Sequence, residues 1–249
     1  MSDLAVRPVE TGREKKQFLE FPWELHRDDP NWIPPLRSNQ RELVGYVPHP
    51  FYENNEAQTF LAYRSGKPCG RIAAILNRGH IERYQERRGF FGFFECVDDQ
   101  EVANGLFGAV RQWFAQRDVH ALRGPANPSL NYELGLLIEG FDSPPTFMMT
   151  YNQPYYVRLV ESYGFRKTQD LYAYWGHVEM LPRISAKLRP IAEQLIEHHG
   201  IRLRALNTKR FLQDVEAFID IYNRSLVNTW GFVPMSKAEV RHTARGLRY

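Results

Sequence analysis

Apolar residues recur along the chain with two periods, one typical of strands and one typical of helices. Strands are predicted at 4–9, 58–64, 71–76, 89–97, 119–123, 147–150, 170–178 and 201–206. Helices are predicted at 11–25, 38–44, 78–88, 98–114, 154–163, 182–200 and 211–226, and a further helix from residue 236. Strand pairs joined by tight turns, combined with crossover helices, predict a mixed α/β fold: a mostly antiparallel sheet flanked by helices.

Particular residues at the segment ends sharpen these boundaries. Thr11 with Glu14, and Ser236 with Glu239, have the spacing of a capping box, in which each side chain binds a backbone N–H at a helix start. Pro22 lies inside the first helical segment. It predicts a kink or a division there, because proline lacks a backbone N–H and its ring clashes with the preceding turn.

The order of the elements divides the chain into three parts. Residues 1–180 are expected to form one domain, 181–200 a helical linker, and 201–249 the start of a second domain, because the β-α-α order of the beginning recurs from residue 201. This second unit is expected to be incomplete and to dock on the first domain. Four aromatic side chains are predicted to make that contact: Phe211, Phe218, Tyr222 and Trp230.

Composition and charge exclude several classes of protein. The formal net charge of +3 is mild and the basic residues are spread among 29 acids, so no nucleic-acid partner is predicted. Two cysteines and the lack of any His/Cys/Asp cluster with ligand spacing predict neither a disulfide framework nor a metal. A cytoplasmic protein is expected, because the sequence contains no signal-like apolar region and no run of ~18 apolar residues. A peripheral membrane contact is left open.

Four separated segments resemble one protein family. They are FPWELHRDDPNWIPPL at 21–36, GFFGFFECVDD at 89–99, GPANPSLNYELGLLIEGFDSPP at 124–145, and YNQPYY…GF…DLYAY at 151–174. These segments are similar to the bacterial ceramide-synthase-like branch of the GNAT superfamily of N-acyltransferases, whose members are longer chains with two GNAT domains in tandem. The segment YYVRLVESYGF at 155–165 also matches the Gly-Phe ending that is common on a helix of that superfamily.

The resemblance implies transfer of an acyl group from acyl-CoA or acetyl-CoA, as co-substrate, to an amine. The amine would be a small molecule or a lipid amine such as a sphingoid base. In such enzymes the pantetheine pairs with the fourth strand, and the pyrophosphate binds the N-terminus of the next helix. Four residues of this strand region are therefore expected to bind the cofactor: Phe93, Phe94, Cys96 and Val97.

Direct attack by the amine requires a base, an oxyanion donor and an acid for the leaving thiolate. Glu95 is the candidate base: by strand alternation it shares a face with Phe91 and Phe93, and apolar surroundings predict a raised pKa. The competing interpretation pairs Glu95 with an arginine or places it at the strand edge. The tyrosine that usually serves as acid is absent at its expected position, so Tyr155 and Tyr156 are the substitutes, unless they only pack at the helix start.

Substrate contacts are expected from polar residues in irregular segments. Asn127, Asn131 and Tyr132 lie in the long loop after the fifth strand, and long loops inside compact domains are usually functional. Asparagines are also good turn formers, so loop architecture is an equal alternative. His80 is a further candidate for contact with the substrate, against the alternative of a surface helix cap.

The turn after the fourth strand departs from the family pattern. Its basic, glycine-rich sequence is replaced by DDQE at 98–101, and three acids repel a pyrophosphate. We therefore expect weak CoA binding by the first domain and little activity of this chain alone. Two alternatives remain: a non-catalytic degenerate module that stabilises or regulates a second acyltransferase domain, and a self-contained single-domain acyltransferase.

Overall fold

A computed structural model describes residues 3–202 and 204–246. The strands are β1 (Leu4–Pro8), β2 (Glu56–Arg64), β3 (Lys67–Leu76), β4 (Arg88–Cys96), β5 (Ala121–Arg123), β6 (Ala126–Asn127) and β7 (Glu133–Leu134). The helices are α1 (Gly12–Leu25), α2 (Arg37–Leu43), α3 (Arg78–Tyr84), α4 (Gln100–Ala115), α5 (Tyr156–Tyr163), α6 (Leu181–His199), α7 (Phe211–Ser225) and α8 (Lys237–Gly246). The predicted mixed α/β fold with a mostly antiparallel sheet is confirmed.

The main sheet has the order β1-β2-β3-β4-β5. The first four strands pair antiparallel, and β5 pairs parallel to β4 over only Arg88–Phe90. The second half of β4 therefore runs free of β5. The chain then crosses this half of the strand at 124–127, where a Cβ on Gly92 would clash with the carbonyl of Ala126. A glycine is required there because the two backbones approach so closely.

A β-bulge changes the face of the sheet on which the side chains at the end of β4 lie. The β3–β4 register shifts between Arg71 and Ala73, and Phe93 has a positive φ of 50°. One extra residue reverses the alternation of side chains. Phe91 consequently packs in the α4-side core, whereas Glu95 lies on the side of α1. The prediction that these two residues share a face is wrong for this reason.

Helices cover both faces of the sheet. On one face α4 and α5 bury a cluster rich in aromatic rings, including Phe91 and Phe107. On the other face α1 buries Phe18 against Leu61 and Phe90. Each such side chain contributes roughly 1.5–3 kcal/mol when it leaves water. The two clusters hold β4 firmly on both sides.

The helix α1 runs through Pro22 without interruption, so the predicted division is wrong, whereas the predicted kink stays a prediction. The ring removes the N–H that would bond to the carbonyl of Phe18. The guanidinium of Arg71 donates to that carbonyl instead, at 2.9 Å. A long-range side chain thus replaces the missing helical donor. The predicted capping box of Thr11 and Glu14 is present.

Three of the predicted strands are absent from the described part of the chain: those at 147–150, 170–178 and 201–206. Residue 203 lies outside the described residues. A strand needs a neighbour to satisfy its backbone groups, and these segments have none. Their side chains are exposed instead, as at Tyr174 (92%) and Trp175 (83%).

The C-terminal helices contact the rest of the chain through part of the predicted set. The Arg123 guanidinium lies 4.6 Å from the centroid of the Trp230 ring, and the Tyr222 hydroxyl donates to Oδ1 of Asn131 at 3.4 Å. Phe232 is buried, and Asn131 Nδ2 donates to the carbonyl of Val233 at 2.9 Å. Tyr222 packs on Phe232, but Phe218 remains 64% exposed. The Phe218 ring stacks on Tyr222, with ring centroids 6.3 Å apart. The division into domains stays a prediction, and no helix in the described ranges is long and apolar enough to cross a membrane.

Candidate functional site

The carboxylate of Glu95 is the centre of a polar cluster at the free half of β4. Its Oε2 accepts a hydrogen bond from the Tyr156 hydroxyl at 2.6 Å and lies 2.9 Å from Nε2 of His26. Its Oε1 accepts no hydrogen bond from any residue in the described ranges. The side chain keeps 14% of its surface exposed, so the carboxylate is nearly but not completely buried.

Arg71 balances the charge of Glu95. The two residues pair directly across β3 and β4, and Nη2 of Arg71 lies 3.8 Å from Oε1 of Glu95. Arg71 is only 4% exposed, and its Nε has no partner among the described residues. A buried guanidinium needs a nearby anion. Of the alternatives for Glu95, pairing with an arginine is therefore realised.

The pKa of Glu95 lies below its ordinary value, so the predicted raised pKa is wrong. Burial does raise the pKa, but the hydrogen bonds from His26 and Tyr156 and the charge of Arg71 act in the opposite direction, and the net shift is downward. The carboxylate is therefore ionised at neutral pH. The apolar phenylalanines on β4 suggested the opposite, because the polar partners come from distant parts of the sequence.

His26 follows the last turn of α1 and is 1% exposed. Its Nδ1 lies 3.1 Å from Nε2 of Gln153, and the indole of Trp32 stacks on its ring with centroids 5.2 Å apart. Sequence reasoning did not find His26, Arg71 or Gln153 as site residues. The only signal was that His26, Trp32 and Gln153 occur in segments shared with the family.

Tyr155 and Tyr156 are brought to the same strand as Glu95. The Tyr155 hydroxyl donates to the Cys96 carbonyl at 2.7 Å, and the Cys96 N–H donates to the Tyr156 hydroxyl at 3.0 Å. Burial is the main cause that raises the pKa of both phenols, and the charge of Glu95 adds to it. Both tyrosines therefore remain protonated hydrogen-bond donors. Their predicted role as acids is still a prediction.

Asn127 bonds to a backbone N–H in the half of β4 that does not pair with β5. Its Oδ1 accepts the N–H of the bulge residue Phe93 at 2.6 Å, and its Nδ2 donates to Glu133 at 3.3 Å. Burial and the charge of Glu95 raise the pKa of Glu133. Two carboxyl groups near one another thus have pKa values shifted in opposite directions, a pattern typical of acid–base sites.

The other predicted substrate contacts lie elsewhere. Asn131 and Tyr132 bond to the C-terminal region, Tyr132 to Glu239 at 3.2 Å. His80 is fully buried, with Nε2 2.8 Å from Glu86, so it is not a surface cap. Burial lowers the pKa of His80. These residues are not brought to Glu95, and nothing further supports a substrate role for them.

The start of α4 is already occupied by the protein's own carboxylate. Asp99 caps the helix and accepts from the N–H groups of Glu101 and Val102. Arg64 pairs with Asp99 and Glu101, and Arg158 pairs with Asp98. The N–H groups that would bind a pyrophosphate are satisfied internally. The proposed cofactor contacts at Phe93 and Cys96 likewise have their backbone groups bonded to Asn127, Tyr155 and Tyr156, while those at Phe94 and Val97 stay predictions.

Two surface cavities lie away from this cluster. One of about 540 Å³ is lined by His49, Tyr52 and His242, and one of about 690 Å³ lies between β1 and α4. Neither touches Glu95. No group of three His, Cys, Asp or Glu side chains that could hold a metal ion is found in residues 3–202 and 204–246.

Two curated proteins match almost the whole chain, whereas no protein-family model matches it. The chain is 33% identical to Protein YghO of Escherichia coli over 98% of its length. It is 36% identical to bacterial ceramide synthase of Caulobacter vibrioides over 99% of its length. The resemblance predicted from four segments is thereby confirmed. The chain spans 62% and 64% of these two relatives, less than two thirds of either.

Solved structures give more distant matches. An aminoglycoside acetyltransferase from a soil metagenome, in complex with sisomicin, matches 70% of this chain and 97% of its own at 13% identity and a TM-score of 0.42. A tandem GNAT protein from the clavulanic acid biosynthesis pathway matches 65% of this chain and 43% of its own at 12% identity and a TM-score of 0.42.

Proposed function

We propose that this homologue of bacterial ceramide synthase holds the amine acceptor of an N-acyltransferase, with Glu95 as the group that receives the amine. One observation carries the proposal. Glu95 is an ionised, nearly buried carboxylate with Oε2 fixed by His26 and Tyr156 and with Oε1 free of hydrogen bonds from the described residues. Acyl-CoA is the proposed donor, and a sphingoid-base-like lipid amine is the proposed acceptor, after the name of the relative.

The chemistry follows from the lowered pKa of Glu95. An amine is a cation at neutral pH, so the carboxylate first binds it as a counter-ion. The bound ammonium first releases one proton to solvent water. The free amine then attacks the thioester carbonyl, and the new C–N bond makes the nitrogen strongly acidic. The nitrogen then loses a proton to Oε1 of Glu95, and the CoA thiolate leaves. The bulge and the two tyrosines keep the carboxylate in place for this transfer.

The proposal assigns the acceptor amine, rather than the CoA phosphates, to these residues. Asp99 fills the helix start that would bind phosphate, and Tyr155 and Tyr156 bond to the strand edge that would pair with pantetheine. A donor bound on this half of the site would have to displace those groups. The acceptor side needs no such displacement.

The same internal bonding favours a second candidate, a non-catalytic module. In that case Glu95 and Arg71 only stabilise the fold, as buried pairs do when both partners are present. Loss of the carboxylate would then lower the free energy of unfolding without changing any product.

Mass spectrometry of lipids and small amines after expression of the intact gene distinguishes these candidates. We expect Glu95→Gln to reduce the N-acylated product about 100-fold, the lower range for loss of a general base. Glu20→Gln, which removes a carboxylate paired with Arg37 at the surface, is the control and should leave the product unchanged. Melting curves verify folding. If folded Glu95→Gln protein gives unchanged product, the proposed role of Glu95 in acyl transfer is contradicted and the non-catalytic module is supported.

A further inference from the structure

Four side chains form a continuous chain of hydrogen bonds from the protein surface to Glu95. Asp29 lies 3.0 Å from Nε2 of Gln153, which lies 3.1 Å from Nδ1 of His26. Nε2 of His26 then lies 2.9 Å from Glu95. The proton transfer proposed above uses only the last of these four residues. The proposed proton transfer therefore gives no role to Asp29, Gln153 or His26.

The direction of every bond in this chain follows from Asp29. Its carboxylate can only accept, and it already accepts from the Tyr151 hydroxyl at 2.7 Å and the Asn31 N–H at 3.0 Å. The atom of Gln153 that faces Asp29 must therefore be the amide nitrogen, which fixes the orientation of the amide. The same nitrogen donates its second hydrogen to His26, so Nδ1 of His26 is an acceptor.

A histidine whose Nδ1 accepts carries its proton on Nε2 when it is neutral. That proton points at Oε2 of Glu95. The opposite tautomer would place two lone pairs against each other at 2.9 Å. The ring cannot easily escape, because it is buried and stacked on Trp32.

We propose that Gln153 is a positioning residue that holds His26 as the neutral Nε2–H imidazole. This imidazole occupies Oε2 of Glu95, so only Oε1 is left for the acceptor. The catalytic consequence rests on the proposed function.

A neutral His26 also sets the charge of the cluster. The chain of hydrogen bonds then contains two carboxylates, Asp29 and Glu95, and the guanidinium of Arg71 lies 3.8 Å from Glu95 alone. The excess negative charge favours an ammonium ligand over a neutral alcohol of the same shape. A protonated His26 would cancel that preference. A cationic amine is therefore favoured as the acceptor.

Long-range ¹H–¹⁵N correlation spectra of the ¹⁵N-labelled chain report the tautomer of each histidine. The His26 signals are assigned by their loss in His26→Gln. We expect the Nε2–H tautomer at neutral pH in the unaltered chain. We expect doubly protonated His26 in Gln153→Glu, because a carboxylate at that position accepts a hydrogen bond from Nδ1. An Nδ1–H or doubly protonated His26 in the unaltered chain overturns the proposal.

Gln153→Met tests the positioning role in the intact gene. It keeps the volume and removes the hydrogen bonds donated to Asp29 and His26. Loss of the bond to His26 should lower N-acylated product about 10-fold, the effect of one hydrogen bond. Gln58→Met is the matched control, because Gln58 Nε2 also donates to two part-buried acceptors, the carbonyls of Val9 and Thr59. Full product with folded Gln153→Met refutes the positioning role even if Glu95→Gln is inactive. If Glu95→Gln is fully active, the proposed function fails, and the spectra still decide the tautomer.

Discussion

Pro22 and Arg71 are complementary across the interface between α1 and the sheet. Pro22 cannot donate to the carbonyl of Phe18, and Nη1 of Arg71 donates to that carbonyl at 2.9 Å. The proline therefore creates a buried acceptor that helps to hold Arg71, and Arg71 lies opposite Glu95. A residue that usually disrupts a helix here supports the position of a charged group in the site.

Replacement of Pro22 by alanine tests this complementarity. A proline in a helix interior normally costs about 3 kcal/mol relative to alanine, and Pro190 in the exposed helix α6 should show that cost. We expect Pro190→Ala to stabilise its helix. Pro22→Ala should gain less than about 1 kcal/mol, because the restored N–H competes with Arg71 for one carbonyl. Urea denaturation measures both values, and an equal gain at the two sites contradicts this account.

The lowered pKa of Glu95 predicts how its contribution to stability depends on pH. A carboxyl group whose folded pKa is depressed stabilises the protein above its unfolded pKa of about 4.3, and this stabilisation is lost as pH falls through the folded pKa. The difference in the free energy of unfolding between the unaltered chain and Glu95→Gln should be about 3 kcal/mol near pH 7.

That difference should shrink as pH falls below about 4.3, because the unfolded chain then binds a proton that the folded carboxylate does not, and it should be lost once pH falls through the lowered folded pKa. Denaturation curves at several pH values provide the measurement. Glu20→Gln serves as the control, since its exposed ion pair should contribute no more than about 1 kcal/mol at any pH. A difference that grows in acid would mean that the pKa of Glu95 is raised instead.

The backbone at Gly92 lies so close to the segment 124–127 that a larger residue at this position should destabilise the fold. Gly92→Ala should cost about 1–3 kcal/mol, because the added Cβ meets the Ala126 carbonyl and must displace the segment that carries Asn127. Gly108→Ala in α4 is the matched control: no atom lies within 4 Å of its Cβ position, so it should stabilise by about 0.5–1 kcal/mol. Thermal melting distinguishes them. A stable Gly92→Ala chain would show that the crossing is not tight.

The internally capped helix start predicts weak binding of CoA. We expect acyl-CoA to bind the 249-residue chain more weakly than about 1 mM in calorimetry, which also speaks against a self-contained acyltransferase. Asp99→Ser keeps a good helix cap and removes one negative charge, so it should bind the phosphates more tightly than the unaltered chain. Micromolar binding of acyl-CoA by the unaltered chain would contradict the assignment of the acceptor amine, rather than the CoA phosphates, to this site.

Local sequence signals predicted much of the fold. The capping box at Thr11, the β2–β3 hairpin and the apolar strand β4 each depend on neighbouring residues, and each is present. The strand predicted at 170–178 failed because a strand also needs a partner, which no local pattern guarantees. The bulge at Phe93 was missed because simple alternation contains no sign of an inserted residue.

The candidate site was predictable only in part. Glu95, Tyr155 and Tyr156 were identified from the resemblance, and the structure brings all three to one strand. His26 and Gln153 were missed because their roles depend on contacts across 69 and 127 positions of sequence. Periodicity cannot reveal such contacts.

Binding of an amine to the chain tests the central claim most directly. Calorimetry would compare a water-soluble alkylamine with the alcohol of equal chain length, each below its micelle concentration, on the unaltered chain and on Glu95→Gln. The account predicts that Glu95→Gln weakens amine binding about 10-fold or more and leaves alcohol binding unchanged, because only the ammonium requires the carboxylate. Equal amine binding by the two folded proteins would contradict the assignment of Glu95 as the acceptor site.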